Sequence, residues 1–256
     1  MNQPLVSILT TSFNSERTIK NTLLSVALQD YPNIEHIIID GLSTDNTIPI
    51  VKSFNHVKKV ISEKDSGIYD AMNKGIRLAT GSIIGILNSD DFYPHNAIIS
   101  HVVQKLQLEK TDSLYGDLVY VSQKDVTKRL RTWIAGEFKA IKFLFGWMPP
   151  HPTFFVKSEM YEQWGNFNTS FRTAADYELM LRFLYKHRIS VCYLPEIIVM
   201  MRAGGVSNSS IGNRIRANKE DLEAWRVNEL KPRFYTLWLK PLRKLSQFIN
   251  DKKTTT

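Results

Sequence analysis

The sequence predicts an α/β protein built on a doubly wound, mostly parallel sheet, with a smaller second subregion and a C-terminal helical tail. Two observations carry this expectation. Four apolar, β-branched runs open the chain, and helical patterns separate them at 20–30-residue intervals. After about residue 112 that alternation stops and strand pairs replace it.

The four runs are "LVSILT" (5–10), "IEHIIID" (34–40), "KKVIS" (58–62) and "SIIGIL" (82–87), and they read as strands buried on both faces. Between the first two, "SERTIKNTLLSVALQD" puts Ile19, Leu23, Val26 and Ala27 on one helical face, with Ser15 as its N-cap. Helices are expected at "STDNTIPIVKSF" and at "SGIYDAMNKGIRLATG", the latter closing at Gly81. Another is expected around residues 95–108. Further on, "SLYGDLVYVSQKDVTKRLRTW" reads as two strands joined by a polar turn. "HPTFFVKS" and "VCYLPEIIVMMR" are strands, and "TAADYELMLRFLYKH" between them is a helix. The expected organisation is one domain over 1–210, halved near residue 112 into 1–112 and 113–210, and a basic amphipathic tail over 211–256.

Composition narrows the class. The 256 residues are 43% hydrophobic and 23% charged, ordinary for a soluble chain with a sizeable core. A lone cysteine, Cys192, rules out an intrachain disulfide and fits a reducing compartment. "MNQPLVSILTTSF" lacks a basic signal-peptide start, and the longest apolar run is too interrupted to span a bilayer. A cytoplasmic protein is expected. The net charge is +8, and residues 211–256 hold eleven Lys or Arg against five Asp or Glu. The excess belongs to the tail.

Chemistry is expected at the carboxyl ends of the strands, where open α/β sheets bind ligands. If the first, second and fourth strands are neighbours, Thr11, Phe13, Asp40, Asp90 and Asp91 converge on one crevice. Asp40 then accepts hydrogen bonds from a ribose or base, or else caps the turn "GLSTDN". No G-x-x-x-x-G-K-[ST] or G-x-G-x-x-G loop is present, so bound phosphates would need another source of positive charge. Mg²⁺ or Mn²⁺ suits, because these ions take one or two protein carboxylates and complete their shell with phosphate oxygens. That would explain two adjacent acids at a strand end; the alternative is that Asp90 and Asp91 begin the next helix.

"VSILTTSFN", "IIIDGLSTDNT", "EKDSGIYDAMNKGI" and "GILNSDD", in this order and spacing, resemble the family 2 glycosyltransferases. The resemblance is dense over residues 5–95 and continues through "HPTFFVKSEMYEQWGNFN", "AADYELMLRF" and "GGVS". It implies an inverting enzyme with the Rossmann-like GT-A fold, of the kind that builds bacterial surface polysaccharides such as O-antigen. It also implies that Thr11 and Phe13 line the base, that Asn14 begins the next helix, and that Asp40 binds uracil or ribose. Asp65 and Asn73 become candidates beside the nucleotide and sugar, although Asn73 could instead bond its own helical turn.

The family's Asp-x-Asp motif falls on Asn88, Ser89, Asp90 and Asp91, with asparagine in place of the first acid. This leaves Asp90 as the direct metal ligand and Asp91 as its support, with Ser89 and Asp90 at the nucleotide-sugar. The family's base opens a helix, which points to Asp176, with Ala175 where the family has Glu. Glu178 reads as solvated helix surface. His151 is a candidate for the acceptor pocket, or a structural residue beside prolines, and Gly204 and Gly205 permit a tight loop.

These implications add up to metal-dependent, non-processive transfer of one sugar from a UDP-linked donor to a saccharide or a lipid-diphosphate-linked acceptor. The alternatives are a sugar nucleotidyltransferase and a non-catalytic sugar- or lipid-binding protein on the same fold. The tail mixes Lys and Arg with Trp225, Phe234, Tyr235, Leu237, Trp238 and further leucines. It could lie on an anionic membrane at the inner face, or pack on the domain or on a second subunit as a homodimer. No nucleic-acid recognition module accompanies the charge.

Overall fold

The structure is a computed structural model that describes residues 3–204, 211–236 and 239, without the side chains of 211–215. Gly205, Leu237 and Trp238, named above, lie outside the described residues. Eight strands and seven helices follow in chain order: β1 Val6–Ser12, α1 Ile19–Ala27, β2 Ile34–Asp40, α2 Thr47–Lys52, β3 Val57–Ser62, α3 Ile68–Leu78 and β4 Ile83–Ile86. Then come α4 Ile98–Glu109, β5 Ser113–Val121, β6 Arg129–Trp133, β7 Phe155–Lys157, α5 Ser158–Trp164, α6 Ala175–Met180, β8 Val191–Arg202 and α7 Ile211–Val227. Short 3₁₀ turns occupy Ala140–Phe145 and His151–Thr153, and α6 continues as a wide π-helical turn over Leu181–Lys186.

One sheet runs in the order β3-β2-β1-β4-β7-β5-β6, with β8 added on β5. The first four strands are mutually parallel, as expected. Beyond β4 the sheet turns mixed: β7 is antiparallel to both β4 and β5, β6 forms the expected hairpin with β5, and β8 returns parallel to β5.

The period-2 alternation of β1 divides the core. Leu9 packs under α3 with Met72 and Ile76, while Val6 and Ile8 face α1 and α4 with Val26, Ile98 and Val102. With helices on both faces, β1, β2 and β4 are buried throughout, which is why they read as continuous apolar runs. β3 departs from that expectation. It is an edge strand with no fully buried residue; Lys58 is exposed, and Lys59 reaches the Leu78 carbonyl at the end of α3. Gly85 lets β7 approach β4, because a Cβ there would stand 2.4 Å from the Phe155 ring.

Three local expectations are corrected. Ser15 does not cap α1 with its side chain; the helix starts at Ile19, and the Ser15 hydroxyl is engaged elsewhere. Ala27 is exposed rather than on the buried face. α3 ends at Leu78, so Gly81 lies in the loop before β4. Among the described residues no helix is long and apolar enough to cross a membrane.

The tail's first helix belongs to the domain. Trp225 is wholly buried and donates its indole N–H to Tyr177 Oη at 2.9 Å. Ala224 is buried beside it, and Asn228 reaches the Glu178 carboxylate at 3.0 Å. Of the alternatives for the tail, α7 takes the packed one. Glu178 is correspondingly not solvated surface: it is 2% exposed and paired with Arg182 at 2.9 Å.

At the other end of the sheet Glu35 ties three elements together. Its Oε1 accepts from Ser7 Oγ on β1 at 2.5 Å and from Thr80 N, Thr80 Oγ1 and Gly81 N before β4. Burial alone would raise this carboxyl's pKa, but the four hydrogen bonds outweigh it and the pKa is lowered. An acid depressed in the folded state stabilises above its unfolded pKa and loses that contribution as pH falls through its folded pKa. Glu35→Gln is therefore expected to cost about 1–3 kcal/mol at neutral pH. In urea melts from pH 7 to 3 the wild-type advantage should shrink below about pH 4.

Candidate active site

The carboxyl ends of β1 and β2 are sewn together by short polar side chains. Gly41 N donates to Ser12 O at 2.8 Å and Asn14 N to Ser43 Oγ at 2.8 Å. Asn14 Oδ1 returns the link by accepting from Thr44 N at 2.9 Å. Asn14 itself has φ 47°, a conformation asparagine tolerates, so it ends a turn and does not begin a helix as expected. Beneath these links Asp40 is wholly buried. Oδ1 accepts from Ser12 Oγ and Ser43 Oγ, and Oδ2 from Ser43 N and Ser62 Oγ, at 2.5–3.0 Å. A carboxylate offers about four acceptor positions and all are taken. Asp40 therefore holds the turn, the second of the two readings left open for it.

A slot opens above that turn. Phe13 is 63% exposed, and a Cβ added at Gly41 would sit 3.4 Å from its ring and 2.6 Å from Asp65 Oδ2. An aromatic wall and a carboxylate thus approach the same bare backbone. Asp65 keeps its other oxygen on Gly67 N at 2.9 Å.

β4 ends beside this slot. Ser89 N donates to Thr11 O at 3.2 Å, Thr11 Oγ1 to Asn88 Oδ1 at 3.3 Å, and the hydroxyls of Ser89 and Ser15 lie 2.8 Å apart. The turn carrying Asp90 and Asp91 is anchored from three sides. Thr22 Oγ1 donates to Asp91 O at 2.7 Å, Phe92 bridges to Met200 on β8, and the Arg202 guanidinium donates to Asp90 O. α4 begins only at Ile98, so neither acid caps it.

Asp90 is half-buried; burial raises its pKa, opposed by a backbone N–H and by Arg202. Asp91 is wholly buried, and neither carboxylate oxygen has a hydrogen-bond partner. Burial and the neighbouring Asp90 charge push its pKa well above the ordinary range, against smaller opposing effects of Asn88 and Arg202. An orphaned buried carboxylate beside a second one fits a divalent cation, since both groups offer the oxygen donors that Mg²⁺ and Mn²⁺ prefer. Among the described residues no group of three or more His, Cys, Asp or Glu forms a self-sufficient metal cage. A cation held here would depend on ligand oxygens to complete its shell.

Asp176 comes from the other half of the domain. The start of its helix is organised by Glu220 on α7, whose carboxylate accepts from Arg172 N, Thr173 N, Thr173 Oγ1 and Ala174 N at 2.7–3.2 Å. Asp176 Oδ1 accepts from Tyr177 N at 2.8 Å and from Tyr69 Oη on α3 at 3.2 Å. Tyr69 stacks on Phe167 with ring centroids 5.6 Å apart, and His151 meets the same ring edge-on at 5.6 Å. Burial lowers the His151 pKa, partly offset by the Asp176 charge, which keeps the imidazole neutral at pH 7 and within reach of that charge.

Tyr120 on β5 joins the halves. Burial raises its phenol pKa; Arg131, 3.8 Å over its ring, lowers it, and the charges of Asp91 and Asp176 both raise it. One hydroxyl therefore feels the charges of the acids of β4 and of α6 together.

The structure groups Thr11, Ser89, Asp90 and Asp91 at the ends of β1 and β4, sets Phe13 and Asp65 beside Gly41, and gathers His151 and Asp176 around Phe167 and Tyr69. Asn73 is a correction. Its amide donates to Phe167 O at 2.8 Å and accepts from Phe167 N at 2.9 Å, so it neither reaches a ligand nor bonds its own turn. It pins the ring on which Tyr69 and His151 rest. Sequence reasoning missed Tyr69, Tyr120, Arg131, Arg202 and Glu220. Only Tyr69 carried a signal, inside "DSGIYDAMNKG"; the others become neighbours through long-range strand and helix pairing.

A doubly wound sheet with polar and acidic side chains gathered at its strand ends defines the class of α/β proteins that bind ligands at that edge. Residues 7–174 match the family described as Glycosyl transferase family 2, and the chain belongs to that family. It is 28% identical over 217 residues to a PGL/p-HBAD biosynthesis glycosyltransferase of Mycobacterium tuberculosis, covering 82% of each chain. It is 38% identical over 93 residues, 35% of this chain and 37% of the other, to the putative teichuronic acid biosynthesis glycosyltransferase TuaG of Bacillus subtilis.

Among solved structures, S. aureus TarS 1-349 in complex with UDP-GlcNAc aligns with a TM-score of 0.70 at 18% identity, over 98% of this chain and 73% of that one. The mannosyltransferase PcManGT of Pyrobaculum calidifontis, in complex with GDP-Man and Mn²⁺, aligns at 0.67 and 17%, over 100% and 77%. The fold is the expected GT-A fold. The family sets the nucleotidyltransferase alternative aside.

Asn73→Ala would leave two buried backbone groups of Phe167 unpartnered and is expected to cost about 2–4 kcal/mol. Nucleotide affinity at temperatures where the variant stays folded should be unchanged. Thermal melts paired with nucleotide titration would separate this pinning role from a binding one.

Proposed function

We propose that this glycosyltransferase is inverting and non-processive, and moves one sugar from a UDP-linked donor to a hydroxyl of a saccharide or lipid-linked saccharide acceptor. Bacterial surface-polysaccharide synthesis, at the inner face of the membrane, is the setting that the named relatives favour. The observation that carries the reading is the buried, orphaned carboxylate of Asp91 beside Asp90 at the end of β4, together with the Asp176 carboxylate that Tyr69 of α3 and Tyr177 N orient. TarS with UDP-GlcNAc supports the UDP donor, and PcManGT with Mn²⁺ supports the metal.

In this reading Phe13 stacks on the base, with Thr11, Asp65 and Ser89 around the nucleoside. Asp90 and Asp91 would hold Mg²⁺ or Mn²⁺, which when bound neutralises the diphosphate leaving group. Asp176 accepts the proton of the acceptor hydroxyl as its oxygen attacks C1 and the C1–O bond to the diphosphate breaks on the opposite side. The geometry suits that role. Tyr177 N and Tyr69 Oη both occupy Oδ1, which orients the carboxylate and leaves Oδ2 for the acceptor. His151, neutral beside it, contributes to the acceptor pocket.

Calorimetric titration of UDP should show binding with Mn²⁺ that EDTA abolishes and Asp90→Ala removes. Asp176→Asn should bind UDP normally while turnover falls roughly 10²–10⁴-fold. Retained turnover in that variant would sink the base assignment, and unchanged function without any turnover in the wild type would favour a binding protein. Tyr69→Phe deletes one of the two hydrogen bonds that orient the Asp176 carboxylate. Steady-state kinetics should therefore show a lower kcat, with donor KM unchanged.

A further inference from the structure

The packing of α7 removes Trp225 from the surface, and a different set of apolar side chains is left outside. In the 3₁₀ turn Ala140–Phe145, Ile141 is 57% exposed and Phe145 37%. Phe234, just beyond α7, is 90% exposed, the largest value among the exposed large hydrophobic residues described. These residues form one patch. Phe145 stacks on Tyr235 with centroids 5.6 Å apart, and Tyr235 meets Phe234 at 5.1 Å. Thr236 Oγ1 donates to Leu144 O at 2.6 Å and pins the two segments together. A phenylalanine with nine-tenths of its surface in water has no stabilising role in the monomer.

The rim is basic. Lys139, Lys231 and Arg233 are exposed around the aromatic group, and Lys142 lies over the Trp147 ring at 4.9 Å. Glu137 is the acid on the same stretch, with its carbonyl accepting from Lys142. Aromatic and aliphatic tips ringed by cations match the interface of an anionic bilayer, where rings sit at headgroup depth and Lys or Arg meet lipid phosphates. Pairing with a second copy is disfavoured by the same charges, because a two-fold contact through this patch would set the cations against themselves.

We infer that the patch formed by Ile141, Phe145, Tyr235 and Phe234, with Lys139, Lys231 and Arg233, docks the protein on an anionic membrane surface. It lies on the acceptor side: the chain runs from Phe145 through buried Gly146–Pro150 directly to His151. The inference goes beyond the proposed chemistry and stands independently of it.

The test is sedimentation of the full chain with vesicles of phosphatidylcholine alone and of phosphatidylcholine mixed with phosphatidylglycerol. Pelleting is expected with the mixed vesicles only, weakened by salt. Lys231→Gln and Arg233→Gln should each weaken it roughly fivefold. Ile141→Ser combined with Phe234→Ser should abolish it without changing the circular dichroism or the thermal melt. Absence of pelleting by the wild type, equal pelleting with both vesicle types, or pelleting untouched by these substitutions would overturn the inference. A dimer in velocity sedimentation that the serine substitutions dissolve, without vesicle binding, would overturn it in favour of self-association.

Discussion

The buried end of β4 sets the terms for the rest of the domain. Two adjacent carboxylates sit in low-dielectric surroundings, one of them with neither oxygen in a well-formed hydrogen bond. Such a pair costs free energy unless a cation joins it. The surrounding structure holds the turn in place regardless, through Thr22, the Phe92–Met200 bridge and Arg202. Because Met200 and Arg202 lie on β8, a strand from late in the chain secures the acids at the end of β4.

Hydrogen-bond saturation separates the acids of this protein into two kinds. Asp40, Glu35, Glu178 and Glu220 are each satisfied by several donors that belong to the fold. Their work is architectural, closing turns and helix ends whose backbone N–H groups would otherwise be orphaned. Asp65, Asp90, Asp91 and Asp176 keep at least one oxygen that no protein donor uses.

The base is placed by parts drawn from far along the chain. Glu220 on α7 collects the free N–H groups before α6, and Tyr69 on α3 reaches across from the nucleotide half. Asn73 supports Tyr69 indirectly through Phe167. α7 therefore organises the start of α6, whereas the surface beyond it carries the exposed aromatic and basic patch.

What the sequence determined by itself is what short-range physics writes into it. The periodicity of β1 to β4 and their helices was legible, because burial on both faces demands continuous β-branched runs. The acids at strand ends were legible as a set, since topology alone aims strand termini at one crevice, and the order of four motifs pointed to the family. β7 as an antiparallel insertion and β3 as an exposed edge were not legible, because neighbour order in a sheet is a long-range property. The roles of single residues also escaped the sequence. Asp40 and Asn73 looked like ligand contacts, and Glu178 looked like solvated surface. Only the tertiary structure decided otherwise, by surrounding Asp40 with three serines, setting Phe167 against Asn73, and burying Glu178 under Arg182 and Asn228. Hydrogen-bond capacity is spent by whichever groups the fold brings within about 3 Å, and Ser62, Phe167 and Asn228 come to these side chains from 22, 94 and 50 residues away in the chain.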